Sequence, residues 1–330
     1  MHSVGLVLHP QRDSAEAVEA VLGWAVQRGI SVYGIADEIV RLNCAALPLS
    51  DQELGRRADL IVSLGGDGTM LRAMRLADGQ QAAVLGVNLG KLGFLAEVDV
   101  PELPGALSAI DAREYTIEPR LAIDATFGGQ TATAFNDVAV VRVPGNPSAV
   151  VSVNVSGQPF VRYAADAVIV ATPTGSTAYS FSAGGPIVQP AVEALLVTPA
   201  APHSAYNRGF VLSVDETVEL VMLPASGRLA VEVDGQVEGY TEPGEQVSMR
   251  ARPQAARVIR LGRTTFYQRA RRKLRLTDSA EIPLTFGGDG AAPLTTGPLN
   301  NPFTHRDSEG DGGGSGERAG EGTPQLNPPR

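Results

Sequence analysis

Cysteine is almost absent: Cys44 is the only one in 330 residues, so no internal disulfide can staple the fold. Histidine is nearly as sparse, and His2, His9, His203 and His305 lack the spacing of a zinc site. Basic charge is in deficit. Lys+Arg 27 against Asp+Glu 36 leaves a net charge of -9, which argues against a general nucleic-acid or anionic-membrane binder, because those need an attracting basic surface. No run of about 18 apolar residues occurs, and the start MHSVGLVLHP lacks a basic segment ahead of a signal-peptide core. Together these absences predict a cytoplasmic protein with no fixed metal site, no nucleic-acid partner and no membrane contact.

What is present is an ordinary globular composition, 43% hydrophobic and 19% charged, over a length that allows two domains. Residues 1–114 alternate strand-like and helix-like patterns. Apolar runs at 4–8, 60–64 and 83–87, with a weaker one at 31–33, read as strands. Residues 13–27 place Val18, Val21, Leu22 and Ala25 at helical spacing, and residues 70–76 read as another helix. This is an α/β domain with a mostly parallel sheet. Over residues 115–278 the apolar period becomes two, as at Leu121, Ile123 and Ala125 or Val151, Val153 and Val155. Turn formers such as Gly128-Gly129, Gly157 and Asp234-Gly235 separate the runs, which predicts an all-β domain closed by a basic helix or strand at 269–275. Residues 279–330 hold 11 Gly, 7 Pro and 7 acidic residues against 3 basic ones; a segment so poor in apolar groups is expected to be disordered.

The strongest local signal is Gly65-Gly66-Asp67-Gly68-Thr69, set between the buried run LIVSL and a helix. Glycines let the backbone turn sharply and approach a ligand, and the helix N-terminus offers unpaired N–H groups to a phosphate. A carboxylate there would repel phosphate unless it meets Mg²⁺ or takes a proton from a hydroxyl nucleophile, both roles of phosphoryl transfer. The alternative is a tight βα turn in which Asp67 only caps the helix. Walker-type loops are excluded, because Gly86 to Leu92 has one residue too few between its glycines and Leu92 where Ser or Thr is needed; no G-x-G-x-x-G follows the first strand. Asn88 to Phe94 (NLGKLGF) is a second glycine-rich segment after a strand, with a structural turn as its alternative.

A second loop stands in the β half: Asp166, the apolar run AVIVA, then Thr172-Pro173-Thr174-Gly175-Ser176-Thr177-Ala178-Tyr179 and Gly184-Gly185-Pro186. Hydroxyls, small residues and one aromatic suit the ribose, phosphate and flat base of a nucleotide; a Ser/Thr-rich turn is the alternative. A serine hydrolase is excluded, because Ser176 is not in G-x-S-x-G and no histidine stands out as its base.

Taken in order, Gly65 to Thr69, Asn88 to Leu95, Asn136-Asp137, Asp166 to Pro186, Asp234-Gly235-Gln236 and the closing Phe266-Tyr267 with Arg271 to Leu274 resemble the NAD kinases, over about residues 4–276. GGDG alone also suits lipid kinases of the diacylglycerol-kinase type; the long ATPTGSTAYSFSAGGPIV segment resembles NAD kinase more specifically. The resemblance implies an N-terminal α/β domain, a C-terminal β-sandwich, and phosphorylation of the 2′-hydroxyl of the adenosine ribose of NAD by ATP or another donor. It implies Asp67 as the proton acceptor, with Gly65, Gly66, Gly68 and Thr69 as the phosphate loop. It implies NAD contacts from Asp67, Gly68, Asn136, Asp137, Asp166 and Gln236, and from Thr174, Thr177, Ala178, Tyr179, Ser180, Phe181 and Ser182 of the dinucleotide loop. Arg72, one helical turn past the motif, is expected to meet phosphate charge. Also implied are Mg²⁺ or another divalent metal carried with ATP, and a homodimer or tetramer. Asp137 stands where Glu is usual in the family, His9 where Asn is common, and Ala164 where many relatives carry Arg. A non-catalytic NAD-binding sensor is the rival from another class, and intact Asp67 argues against it.

Overall fold

The apolar residues near the start become a central strand, because a strand covered on both faces needs an unbroken apolar sequence. In the computed structural model, which describes residues 1–90, 93–203 and 205–276, β1 (Ser3–Leu8) leads through α1 (Ala15–Val26) to β2 (Ser31–Ile35), α2 (Ala36–Leu42) and β3 (Leu47–Leu49). Then come α3 (Asp51–Arg57), β4 (Leu60–Leu64), α4 (Asp67–Ala77), β5 (Ala83–Asn88), β6 (Val98–Asp99) and α5 (Leu103–Asp111). Every residue of β1 and β4 is buried. The parallel strands run in the order β3-β2-β1-β4-β5, so the direction of winding reverses between β1 and β4. At such a switch point the loops leaving the two strands diverge and open a crevice at their carboxyl ends. The loops that open here carry His9-Pro10 and Gly65-Gly66.

The second half contains β7 (Thr116–Phe127), β8 (Gln130–Ala134), β9 (Asp137–Arg142), β10 (Ala149–Val155), β11 (Gln158–Ala165) and β12 (Ala167–Ala171). It continues with the one-turn α6 (Tyr179–Ser182), β13 (Ala194–Ala200), β14 (Phe210–Ser213), β15 (Thr217–Met222), β16 (Leu229–Val233), β17 (Gln236–Thr241), β18 (Gln246–Arg260) and α7 (Phe266–Leu274). Six of these strands form an antiparallel sheet ordered β14-β13-β12-β9-β16-β17. Its inner face, with Val138, Val168 and Leu195, packs on Val151, Leu220 and Val247 of the opposing sheet. Two sheets with alternate residues turned inward make the expected sandwich. The turns at Gly128-Gly129, Gly157 and Asp234-Gly235 have positive φ and close hairpins, as their residue types predict.

The two halves share one sheet. β18 pairs antiparallel with β15 and β7, and near its end Arg257 and Val258 pair in parallel with Ala83 and Val84 of β5. A twelve-stranded sheet therefore runs through both, and Met1–Thr277 form one compact unit. The change of rhythm at residue 115 marks where hydrophobic period changes, and a strand that serves both halves leaves no trace in local period. The helices α2 and α3, seven residues each, are too short to stand out by period. The basic closing segment is a helix, started by a reciprocal cap between Thr265 and Gln268. The disorder expected for residues 279–330 lies outside the described residues.

Candidate active site

The turn after β4 is anchored by the Gly65 N–H on the Val87 carbonyl, 2.9 Å away, and Gly66 forms the N-cap of the eleven-residue α4. Asp67 is thus the first helical residue, its carboxylate at the positive end of the helix dipole. That carboxylate reaches the loop after β5. Its Oδ1 accepts from the N–H groups of Phe94 and Leu95, both at 3.0 Å, and its Oδ2 from Phe94 at 3.1 Å. The carboxylate lies so close over Gly93 that a Cβ there would sit 2.2 Å from Oδ1, which is why this loop needs glycine at that position. The two glycine-rich segments read from the sequence therefore meet at Asp67.

A cavity of about 400 Å³ opens at the switch point, lined by His9, Pro10, Gly66, Gly68, Thr69, Leu71, Arg72, Arg75, Asp234 and Gln236. His9 Nδ1 accepts from the N–H groups of Gln11 and Arg12, both at 3.1 Å. Burial and the nearby Arg12, Arg41 and Arg72 push the imidazole below its usual value, which favours the neutral ring that an accepting Nδ1 requires. Arg75 Nη2 lies 2.7 Å from Asp234, whose fully buried carboxylate also accepts from the N–H groups of Phe135, Asn136 and Asp137 at 3.1, 2.7 and 3.2 Å. Helix N-terminal amides and two guanidiniums in one crevice can hold an anionic ligand, and the Asp67 carboxylate beside it can accept a proton.

Asp234 also lines a second cavity of about 340 Å³, with Asn136, Asp137, Ala178, Tyr179, Glu232 and Gly235. Asp137 is 3% exposed. Burial first, then the neighbouring carboxylate of Asp234, push it up to about 7, with Glu232 adding and the Tyr179 N–H opposing. A carboxyl whose folded value is raised binds its proton more tightly folded than unfolded, so its contribution to stability falls as pH rises from about 4 to 7 and is level above. Asp137→Asn is therefore expected to raise Tm more at pH 8 than at pH 5, by at most about 4 kcal/mol in stability at the upper pH. Parallel thermal melts at the two pH values check this; an identical pH dependence in both proteins would contradict it.

The structure brings Gly66, Gly68, Thr69, Arg72 and Gln236 to the first cavity and Asn136, Asp137, Ala178 and Tyr179 to the second. Gly65 and Asp67 stand beside the first without lining it. Arg72, at the first cavity, also meets a carboxylate of the chain itself, its Nη2 pairing with Glu38 and donating to the Leu8 carbonyl at 2.9 Å. Three residues of the expected NAD-contact set have side-chain partners within the chain. Thr174 is buried and accepts from Arg120 at 3.1 Å, Ser180 is buried against the Thr198 hydroxyl at 3.0 Å, and Asp166 pairs with Arg142 at 3.0 Å. Thr177, Phe181 and Ser182 line neither cavity. The physical reason for Thr174 and Ser180 is burial, which forces each hydroxyl onto an internal partner.

Arg75 and Glu232 carry no signal in the sequence motifs, and Asp234 stands there as a turn former and part of the Asp234-Gly235-Gln236 motif without a site role. Arg75 follows Arg72 by three and Gly68 by seven, the spacing of one helix face, so its place was readable once the motif helix was drawn. Glu232 and Asp234 come to the cavity only through the pairing of β16 with β9.

Residues 4–115 match the family model of the ATP-NAD kinase N-terminal domain, and residues 135–261 that of the ATP-NAD kinase C-terminal domain. The chain is 38% identical to NAD kinase 1 of Streptomyces avermitilis, over 88% of this chain and 91% of that protein. It is 37% identical to the NAD kinase of Desulforamulus reducens, over 83% of this chain and 98% of that one. Among solved structures, yeast NADH kinase complexed with NADH superposes with a TM-score of 0.73 at 25% identity, covering 86% of this chain and 90% of that one. An Archaeoglobus fulgidus NAD kinase in complex with ATP superposes at 0.65 and 23% identity, over 83% and 98% of the two chains, and shows the shared fold.

Proposed function

The chain belongs to the ATP-NAD kinase family, and from that premise we propose that it transfers the γ-phosphoryl group of ATP to the 2′-hydroxyl of the adenosine ribose of NAD, with Asp67 receiving the hydroxyl proton. The observation that carries the reading is the Asp67 carboxylate itself. It is held by two backbone amides at the N-terminus of α4, beside a crevice that carries Gly66, Gly68, Arg72 and Arg75.

In this reading the dinucleotide occupies the cavity of Asn136, Asp137, Ala178 and Tyr179, and the phosphates of the donor lie toward Gly66 and Gly68. The ribose oxygen forms a bond to the γ-phosphorus as its proton passes to Asp67, and the bond from that phosphorus to the bridging oxygen of ADP breaks. The amides at the start of α4 stabilise charge on the transferring group, and Arg75 adds positive potential. Asn136 and Asp137 orient the ribose. The reading includes Mg²⁺ or another divalent cation carried with ATP, which would neutralise phosphate charge; among the described residues no group of three or more His, Cys, Asp or Glu is placed to hold a metal ion. The reading includes a cytoplasmic location and a homodimer or tetramer. Among the described residues no helix is long and apolar enough to cross a membrane.

The test is NADP formation from NAD, ATP and Mg²⁺ by the purified protein, read through an NADP-specific dehydrogenase. Turnover of NAD is expected. Phosphorylation of diacylglycerol without NADP formation would favour the lipid-kinase alternative, and NAD binding without ATP consumption the sensor.

A further inference from the structure

The site leaves unexplained what holds the two amides that hold Asp67. They belong to Phe94 and Leu95, and the Leu95 carbonyl accepts from Arg260 Nη1 at 2.8 Å. Arg260 is the last residue of β18 and is 6% exposed. Its Nε and Nη2 each lie 3.3 Å from Glu118 Oε1, and the same oxygen takes Arg120. Arg120 is 1% exposed, and its Nη1 donates to the Thr174 hydroxyl at 3.1 Å.

Register brings these groups together. Val258 of β18 pairs with Glu118 of β7, and residues two apart on a strand share a face, so Glu118, Arg120 and Arg260 project from the same side of the sheet. Arg269 of α7 adds a third buried guanidinium, tied to the Thr264 carbonyl at 2.7 Å. Burial and the charge of Arg260 push Arg120 down to about 9. Burial raises Glu118 but Arg120 and Arg260 more than offset it and hold its carboxyl below the usual value. A single carboxylate oxygen is thus the fixed point from which one guanidinium reaches the Asp67 loop and another reaches the start of the 174–182 loop.

We propose that Arg260 is a positioning residue for phosphoryl transfer: through the Leu95 carbonyl it sets the amides that orient Asp67, and through Glu118 and Arg120 it couples that setting to Thr174. The proposal rests on the reading of Asp67 as proton acceptor. Arg260→Lys keeps a cation for Glu118 but replaces a planar fork, which donates in two directions, by a single ammonium. Its expected signature is kcat lowered on the order of 10- to 100-fold, as for other small misplacements of a reacting group, with KM for NAD and for ATP within about threefold. A merely structural role would lower the melting temperature and leave the kcat of the folded fraction unchanged.

A double-mutant cycle separates the proposal from the reading beneath it. In an Asp67→Asn background, Arg260→Lys is expected to cost little further kcat, because the group it positions is gone. An equal loss in both backgrounds overturns the proposal while leaving Asp67 in place. Parental kcat in Asp67→Asn alone overturns the reading of Asp67 instead. Glu118→Gln keeps an acceptor oxygen for both arginines and carries the same cycle where the lysine variant does not fold; additive losses there overturn the proposal equally.

Discussion

Asp67→Asn is expected to lower kcat on the order of 10²- to 10⁴-fold, the range supplied by a positioned general base, while the protein stays folded. The side chain keeps its length, so the packing around Gly93 changes little. Its carboxamide has one acceptor oxygen where the carboxylate uses two, with Phe94 N–H on both and Leu95 N–H on Oδ1. The amide group cannot accept the hydroxyl proton at neutral pH. Loss of the negative charge from the first position of α4 costs roughly 1 kcal/mol or less in stability. Steady-state turnover beside a thermal melt separates the two effects. A folded variant with near-parental kcat would remove Asp67 from the chemistry.

Gly175→Ala is expected to damage both stability and NAD binding. A Cβ at residue 175 would stand 2.0 Å from the Asn136 carbonyl oxygen and 2.4 Å from its carbon, and backbone cannot rotate aside as a long side chain can. That carbonyl accepts the Thr172 N–H at 2.8 Å, and the Gly175 N–H bonds the Thr172 hydroxyl at 3.1 Å. Relief of the clash must therefore move the 172–178 turn away from Asn136 and Asp137, the two residues proposed to hold the ribose. Overpacking of this kind costs about 1–3 kcal/mol. Displacement of the pair should raise KM for NAD on the order of tenfold, equivalent to about 1.4 kcal/mol. Unchanged Tm and KM would mean that the turn can yield without moving Asn136.

Legibility followed the range of the interactions. The β4, glycine turn and α4 unit was readable because its signals lie within a few residues: an apolar run, glycines where the chain reverses, then a helix. The Asp234-Gly235 hairpin was readable for the same reason. The short helices α2 and α3 were not, although Ser50 and Glu53 form a reciprocal cap that signals the start of α3. Within residues 172–182, residue type marked a loop rich in hydroxyls but could not say which of them turn inward. Thr174 and Ser180 turned inward because Arg120 and Thr198, distant in sequence, are their partners.

By itself the sequence determined the fold class of the protein and the setting of its central carboxylate: a parallel α/β half, a β half and a carboxylate placed among glycines at a helix start. Those features depend on hydrophobic period and turn chemistry, which act between near neighbours. Only the tertiary structure decided that β18 joins the halves into one sheet, that Asp67 leans on amides 27 and 28 residues away, and that Arg75 meets Asp234 across 159 residues. Such contacts depend on where the chain returns, and a hydrogen bond or ion pair between distant residues leaves no periodic mark in the sequence that forms it.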